Sequence, residues 1–167
     1  MTMNYFEFVQ SPMGPVKIIA DEKAITEVFF CGKSDEILKF YFRSKPEETG
    51  NAVTHEAAKQ LKEYFEGKRT KFDLPLNPYG TRFQKEVWKG LRRIPYGKAL
   101  TYGELAEKLK NPKAYRAVGG ANGKNPIGII IPCHRVIAAG GLLGGYTGGL
   151  EYKEFLLTLE GVPYIKE

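Results

Sequence analysis

Cysteine and histidine are scarce in this chain, which has two of each in 167 residues. Cys31 and Cys133 offer no disulfide framework, and with His55 and His134 they form neither the CxxC nor the HxxxH spacing of a zinc site. We therefore expect a reducing environment and no structural metal. No apolar run approaches the roughly 20 residues of a membrane span, and the start lacks a basic and apolar leader. We expect a cytoplasmic protein, or a nuclear one in a eukaryote.

Positive charge is concentrated in one part of the chain. The net charge is +6, yet residues 79–124 contain eleven Lys and Arg against three Glu. A basic segment of this kind is typical of a surface that contacts phosphates. It is equally typical of a solvated face that binds no partner, and composition leaves both interpretations open.

Turn-forming residues around Asn77 and Pro78 divide the chain, and we predict domains at residues 1–78 and 79–167. Before the division, β-branched and aromatic residues predict strands at 5–9, 16–20 and 25–30. A helix around Leu61 follows and should end at Gly67. Residues 35–42 fit either a helix or a strand. The first part is therefore predicted to be a small α+β module.

Helix signals dominate the second part. Thr81 with Gln84, and Thr101 with Glu104, fit the capping box. The apolar positions that these two helices should bury are Phe83, Val87 and Leu91 in the first and Leu105, Ala106 and Leu109 in the second. Asn111 as N-cap, with proline next, should begin a third helix that ends before Gly123. The last two helices predict a helix-turn-helix over about residues 101–122.

The third helix carries small residues where a major-groove reader would carry long ones. Ala114, Ala117, Gly120 and Ala121 should form one small-residue face, with Arg116 projecting from another. A bare helix with one long cation suits the minor groove and a wedge into the base stack. A close helix-to-helix contact in the core would produce the same pattern.

The reactive chemistry of the chain is predicted at Cys133. Residues 127–131 read as a buried strand, Pro132 stops it, and His134 and Arg135 follow the thiol directly. A base and a cation beside a thiol favour its thiolate, although a cysteine after an apolar strand also fits a small buried side chain. His134 could cap a turn, and Arg135 could pair with a carboxylate. Neighbours in a strand face opposite ways, so cooperation requires a turn here.

A glycine-rich loop, residues 144–149, follows the thiol and lacks the Lys-Ser/Thr ending of a phosphate-binding loop. Its backbone N–H groups could approach a flat ligand closely. Residues 150–160 then predict a terminal helix that Gly161 and Pro163 stop.

Five stretches of this sequence resemble, in order and spacing, the O6-alkylguanine-DNA alkyltransferases, also called methylated-DNA--protein-cysteine methyltransferases. They are Thr-Tyr-Gly-Glu-Leu-Ala at 101–106, Arg-Ala-Val-Gly-Gly-Ala-Asn at 116–122, Asn-Pro at 125–126, Ile-Pro-Cys-His-Arg-Val at 131–136 and Gly-Gly-Tyr-Thr-Gly-Gly-Leu at 144–150. The resemblance covers about residues 83–161 closely. It implies an α+β fold with a small RNase H-like N-terminal module before a mainly helical alkyltransferase domain containing a helix-turn-helix.

The resemblance implies DNA repair. An alkyl group would pass once and irreversibly from O6 of guanine, and from O4 of thymine, to Cys133, after minor-groove binding and base flipping. The implied catalytic residues are Cys133, His134, Glu160 and Tyr102. The implied substrate-binding residues are Asn125, Val136, Tyr146, Thr147 and Gly148. The implied DNA-binding residues are Arg116, Tyr102, Asn111, Ala117 and Gly119. The expected partner is alkylated double-stranded DNA, and the expected state is a monomer without cofactor, metal or membrane.

Two departures from the family and two other functions bear on this interpretation. The first module has only Cys31 and His55 where vertebrate relatives bind zinc, and Gly128 replaces a proline that packs against bulky alkyl groups. A lesion-recognition protein that does not react would replace the cysteine, which is present here. A cysteine hydrolase using Cys133 and His134 would have no need for Arg116.

Overall fold

The computed structural model describes residues 4–32 and 49–166. They fall into two units, Met1–Pro78 and Tyr79–Glu167. The ambiguous stretch at residues 35–42 lies outside the described residues. Within the described ranges, no helix is long and apolar enough to cross a membrane.

The first unit begins with an antiparallel meander of β1 (Tyr5–Ser11), β2 (Gly14–Ala20) and β3 (Ile25–Phe30). Ser11 makes the first turn, because its hydroxyl donates to the Gly14 carbonyl at 2.7 Å and accepts from the Met13 N–H at 3.0 Å. The predicted strands are confirmed.

Helix α1 (Ala52–Phe65) packs against this sheet. Asn51 and Thr54 form a capping box at its start, and Gly67 follows its end with a φ of +75°. Leu61 and Tyr64 are fully buried. The predicted helix is confirmed, and with it the α+β character of this unit.

The second unit is mainly helical. Its elements are α2 (Arg82–Leu91), β4 (Leu100–Thr101), α3 (Tyr102–Lys108), α4 (Tyr115–Gly123), β5 (Val136–Ile137) and α5 (Leu150–Leu159), with 3-10 turns at Pro112–Ala114, Cys133–Arg135 and Ala139–Gly141. Strands β4 and β5 pair in parallel, so the start of α3 lies beside the segment that follows Cys133.

Helices α2 and α3 begin as predicted. Thr81 and Thr101 each accept a hydrogen bond from the third helical residue, and Gln84 and Glu104 reach back to the cap N–H. One buried position was predicted wrongly in α2: Phe83 lies on the first turn and is 39% exposed, and Trp88 is buried in the core. The Trp88 indole donates to the Ala121 carbonyl of α4 at 2.8 Å.

The predicted start of the third helix at Asn111 is wrong. Lys110 has a φ of +61°, and after this left-handed residue Asn111 has φ −142° and ψ 67°, which differs from the extended cap geometry. Its side chain makes no capping hydrogen bond, and Pro112 starts a 3-10 turn instead. Helix α4 therefore begins at Tyr115, and Gly123 is its last residue rather than the residue beyond its end.

The predicted small-residue face of the third helix is divided in the structure. Ala117 and Gly120 are exposed, whereas Ala121 is only 4% exposed and points into the core. Ala114 lies in the 3-10 turn before α4. The core-contact interpretation is confirmed for Ala121, while the minor-groove interpretation stays a prediction for the exposed Ala117 and Gly120.

The predicted strand at residues 127–131 is also wrong. The segment is a compact turn in which the Ile131 N–H donates to the Ile127 carbonyl at 3.0 Å, and Ile129 has a φ of +70°. Ile127, Ile129 and Ile131 are nonetheless buried. A short apolar run in the sequence indicates that its residues are buried. Whether the run also pairs as a strand depends on the elements that pack against it.

Candidate active site

Cys133 lies at the start of a 3-10 turn rather than in a strand. The turn spans Cys133–Arg135, and the Val136 N–H closes it by donating to the Cys133 carbonyl. Asn125 braces the segment before it, since its amide donates to the Ile131 carbonyl at 2.8 Å and accepts from the Ile127 N–H at 3.0 Å. The predicted turn at the cysteine is confirmed, and it leaves Cys133 and His134 both buried.

The Cys133 thiol is buried, which favours its neutral form. Burial raises its pKa, while hydrogen bonds from Asn125 and Tyr146 and the charge of Lys153 oppose that rise. The side chain is 8% exposed. A thiol in this setting needs a base that removes its proton when it reacts.

His134 is positioned to be that base. It is fully buried, and its Nε2 lies 2.6 Å from Oε2 of Glu160. Burial lowers the pKa of His134 despite the carboxylate, so the imidazole is neutral. Because Glu160 is ionised and only accepts hydrogen bonds, Nε2 carries the proton and Nδ1 is an acceptor. Nδ1 has no hydrogen-bond partner among the described residues.

Arg135 completes the network on Glu160. Its Nε donates to Oε1 at 2.7 Å and a terminal nitrogen donates to Oε2 at 3.2 Å, while the other terminal nitrogen donates to the Ile94 carbonyl at 2.7 Å. Burial alone would raise the pKa of Glu160, but the hydrogen bonds from His134 and Arg135 and the charge of Arg135 lower it to about 2. Arg135 therefore pairs with a carboxylate, one of the alternatives that the sequence left open.

Two phenols lie close to the thiol. Burial, and next the charge of Cys133, raise the pKa of Tyr102, and the same two causes raise the pKa of Tyr146 well above the usual value. Both phenols are therefore neutral and available as hydrogen-bond donors. Tyr102 is the first residue of α3, which places it beside the glycine-rich loop: a side chain added to Gly144 would meet its hydroxyl at 3.4 Å.

The glycine-rich loop is tied to the end of α4. The Thr147 hydroxyl donates to the Gly123 carbonyl at 2.6 Å. Gly148 lies against the Tyr146 ring, because a Cβ there would be 3.4 Å from that ring. Gly144 has a φ of +75°, which favours glycine. The loop therefore spans the region between α4 and the cysteine turn.

Lys153 is a site residue that the sequence analysis missed. It is fully buried on α5, and its ammonium group donates to the carbonyls of Val136 at 2.7 Å and Gly145 at 3.0 Å. The signal was a lysine three residues before the buried Leu156 in a helix that is otherwise apolar on that face.

The predicted DNA-binding residues lie mostly away from the thiol. Arg116, Ala117 and Asn111 are exposed on or just before α4. Gly119 is half-buried against the Tyr102 ring, 3.6 Å from where its Cβ would be, so it brings α3 and α4 close together. All eleven cations of residues 79–124 are exposed, and Lys89 alone of them has an ion pair within the described part of the chain.

A buried cysteine that precedes a histidine–carboxylate pair, in a unit that also exposes eleven cations, is the arrangement expected of a protein with a thiol nucleophile and a surface for an anionic partner. Comparison with known proteins identifies the family. The ribonuclease-like domain of 6-O-methylguanine DNA methyltransferase matches residues 4–78, and the DNA binding domain matches residues 82–162. The chain belongs to the 6-O-methylguanine DNA methyltransferase family.

Individual relatives are similar over nearly their whole length. The methylated-DNA--protein-cysteine methyltransferase of Methanosarcina acetivorans is 48% identical over 94% of this chain and 98% of its own. That of Haemophilus influenzae is 44% identical over 99% of this chain and 90% of its own. The crystal structure of Mycobacterium tuberculosis OGT in complex with DNA is 42% identical, with a TM-score of 0.79 over 93% of this chain and 91% of that one. These matches confirm the predicted fold class, an α+β module followed by a helical domain.

Proposed function

We propose that this protein repairs alkylated double-stranded DNA by transferring a methyl group from O6 of guanine to Sγ of Cys133. The carrying observation is the buried Cys133, next to a neutral His134 whose Nε2 is held by Glu160 at 2.6 Å. The relatives that span nearly the whole chain are named for this reaction. The transfer forms a thioether, which no group of the site can cleave, so each molecule reacts once.

The proton of the thiol goes to His134. Nδ1 of the imidazole is the free acceptor, and no hydrogen bond joins it to Sγ among the described residues, so a water molecule relays the proton. Glu160 holds the opposite nitrogen and stabilises the imidazolium as it forms. The thiolate then attacks the methyl carbon as the bond between that carbon and O6 breaks.

The departing guanine takes up negative charge, and a phenol neutralises it. Tyr102 is kept neutral by burial, so it can donate a proton or a hydrogen bond to the purine. Asn125 braces the turn, while the Val136 carbonyl, Tyr146, Thr147 and Gly148 border the space for the base. Tyr102 gives its proton to the guanine anion, and the proton that His134 took from the thiol returns through water to Tyr102, so both side chains are neutral again. Guanine regains its normal form, Cys133 becomes S-methylcysteine, and these steps need no cofactor or metal.

The target base must leave the duplex to reach a buried thiol. Arg116 fills the vacated place in the stack from the minor groove, while Ala117, Gly119 and Asn111 let the backbone of this region approach the DNA. The exposed, largely unpaired cations of residues 79–124 support this assignment, since such a surface favours phosphates. The protein acts as a monomer in the cytoplasm, with O4-alkylthymine as a second substrate.

One experiment tests the proposal. The full chain is incubated with duplex DNA containing O6-methylguanine, and peptides are analysed by mass spectrometry. The expected result is one added methyl group on the peptide with Cys133, at an end point of one methyl group per protein molecule. Cys133→Ser should bind the DNA and receive no methyl group, while Cys31→Ser should react like the wild type.

The alternatives predict other results. Binding to the lesion with an unmodified Cys133 would indicate a recognition protein, and turnover beyond one equivalent would indicate a hydrolase. Either result would overturn the proposal.

A further inference from the structure

Lys153 is an ammonium group in a fully buried place, where lysine is rarely found without partners. Its two acceptors belong to different segments: Val136 directly follows the cysteine turn, and Gly145 lies in the glycine-rich loop. We propose that Lys153 is a positioning residue of the transfer site, whose charge favours the Cys133 thiolate and whose hydrogen bonds hold the loop against the turn. This inference rests on the proposed role of Cys133.

The position itself would accept an apolar side chain. Leu156 and Leu157 on the same helix are fully buried, so an apolar residue would avoid the cost of desolvating a cation. Two carbonyls satisfy only part of the ammonium group, which carries a full charge and three donors. A negative charge that develops on a nearby group during the reaction can pair with the Lys153 ammonium group.

Cys133 supplies that negative charge. The charge of Lys153 lowers the pKa of Cys133, and the thiolate in turn favours the charged form of Lys153, whose pKa burial lowers to about 8. The same cation lowers the pKa of His134 and so helps to keep its Nδ1 free. Among the described residues, the titratable groups related to Lys153 are Cys133 and His134 of the turn, on whose pKa it acts, and Tyr102 of α3, which reaches the same point of the loop.

Lys153 and Tyr102 reach the same point of the loop from two helices. A Cβ added to Gly144 would lie 3.4 Å from the Tyr102 hydroxyl and 3.5 Å from the Lys153 ammonium nitrogen. The absence of a side chain at Gly144 therefore leaves room for the Tyr102 hydroxyl and the Lys153 ammonium group beside the loop. A loop held in this way keeps the thiol, the phenol and the base-facing Val136 carbonyl in a fixed arrangement.

The test measures the ionisation of Cys133 without DNA. The full chain and its variants react with iodoacetamide between about pH 6 and pH 11, a range that extends above the ordinary thiol value because burial raises the pKa of Cys133, and the labelled Cys133 peptide is quantified by mass spectrometry. Lys153→Met removes the charge and the donors, while Lys153→Arg keeps a cation. Lys166→Met is the matched control, because Lys166 is exposed and its one ion pair within residues 4–32 and 49–166 is with Glu154 at 3.5 Å.

We expect Lys153→Met to move the midpoint of the profile upward by about one pH unit, so that labelling at a given lower pH slows about tenfold. Lys153→Arg should stay closer to the wild type, and Lys166→Met should match it. If Lys153→Met does not fold, Lys153→Gln supplies the neutral variant. A neutral variant that folds and reproduces the wild-type profile would overturn the inference.

Methyl transfer separates this inference from the proposed function. In Lys153→Met we expect transfer to be about tenfold slower, with an unchanged Kd for the DNA, because the lysine acts on the thiol rather than on the duplex. If the wild type accepts no methyl group, the proposed function fails. The iodoacetamide profiles still report whether Lys153 acts on the thiol.

Discussion

At the scale of single residues, Glu160 organises the site because its carboxylate accepts hydrogen bonds from two different side chains, with Arg135 donating to both oxygens. Oε2 accepts from the His134 imidazole and Oε1 accepts from the Arg135 guanidinium. All three residues are buried, so water cannot take the place of a missing hydrogen-bond partner. The loss of any member leaves another buried and unsatisfied.

Glu160→Gln should therefore destabilise the protein strongly. A neutral amide cannot balance the Arg135 guanidinium, and we expect the free energy of unfolding to fall by roughly 3 kcal/mol in urea denaturation at neutral pH. Glu154→Gln on the same helix is the control; its partner Lys166 is exposed, so less than about 1 kcal/mol should be lost. Equal losses in the two variants would contradict the role given to Glu160.

The same residues predict how stability depends on pH. The folded pKa of Glu160, about 2, is below its ordinary value of 4.5, so its contribution is present above the ordinary value and is lost as pH falls toward 2. His134, whose pKa burial lowers, costs stability as pH falls through the ordinary histidine value of 6.5. We expect a lower urea midpoint at about pH 4 than at pH 7. Glu160→Gln should weaken this dependence; an unchanged slope would argue against the linkage.

At the scale of elements, α3 and α4 join the site to the exposed basic surface. Tyr102 begins α3 and reaches the loop over the thiol, while Arg116 projects from α4 into solvent. Gly119 allows the two helices to approach closely at the Tyr102 ring. One helix pair thus carries both the group that we propose for the chemistry, Tyr102, and the group that we propose for the duplex, Arg116.

Arg116→Ala should separate these two tasks. If Arg116 fills the vacated stack as proposed, its loss removes part of the compensation for base flipping, and we expect methyl transfer from duplex DNA to slow at least about tenfold. Iodoacetamide labelling of Cys133 should stay unchanged, since Arg116 does not touch the thiol. Lys113→Ala removes an exposed cation from the preceding turn and should have a smaller effect. If both variants slow methyl transfer to a similar extent, Arg116 contacts only the DNA phosphates and does not fill the place of the flipped base.

At the scale of the whole molecule, charge is divided unequally between two parts of the chain. Residues 79–124 carry a net charge of +8 in a chain whose total is +6, so the remainder is negative. DNA should therefore be attracted mainly to one part of the surface, where the eleven cations are exposed. This attraction depends on counterion release and is sensitive to salt.

DNA binding should weaken steeply as salt rises. Between about 50 and 200 mM NaCl we expect the affinity for unmodified duplex, measured by fluorescence anisotropy, to fall at least tenfold. Lys68→Gln in the first unit should leave the salt slope unchanged, because Lys68 is exposed, lies outside the basic segment and pairs with Glu66. A salt-independent affinity would show that the basic segment is merely a solvated face.

Local signals predicted most of the elements. The two capping boxes of α2 and α3, the meander and the helix ended by Gly67 depend on neighbouring residues, and all are confirmed. The errors at Asn111 and at residues 127–131 concern segments whose backbone is set by packing. In both segments one residue, Lys110 or Ile129, has a left-handed backbone conformation. A positive φ is uncommon for lysine and isoleucine, so no local sequence pattern predicts it.

The sequence by itself determined the family resemblance and the charge distribution along the chain and predicted the nucleophile, since these depend on which residues are present and in what order. Only the tertiary structure decided which groups act together. Glu160 lies beside His134 although 26 positions separate them, and Lys153 reaches the Val136 carbonyl across 17. The reason is physical: pKa values and buried hydrogen bonds depend on distances and on exclusion of water, and both arise when α5 packs against the cysteine turn.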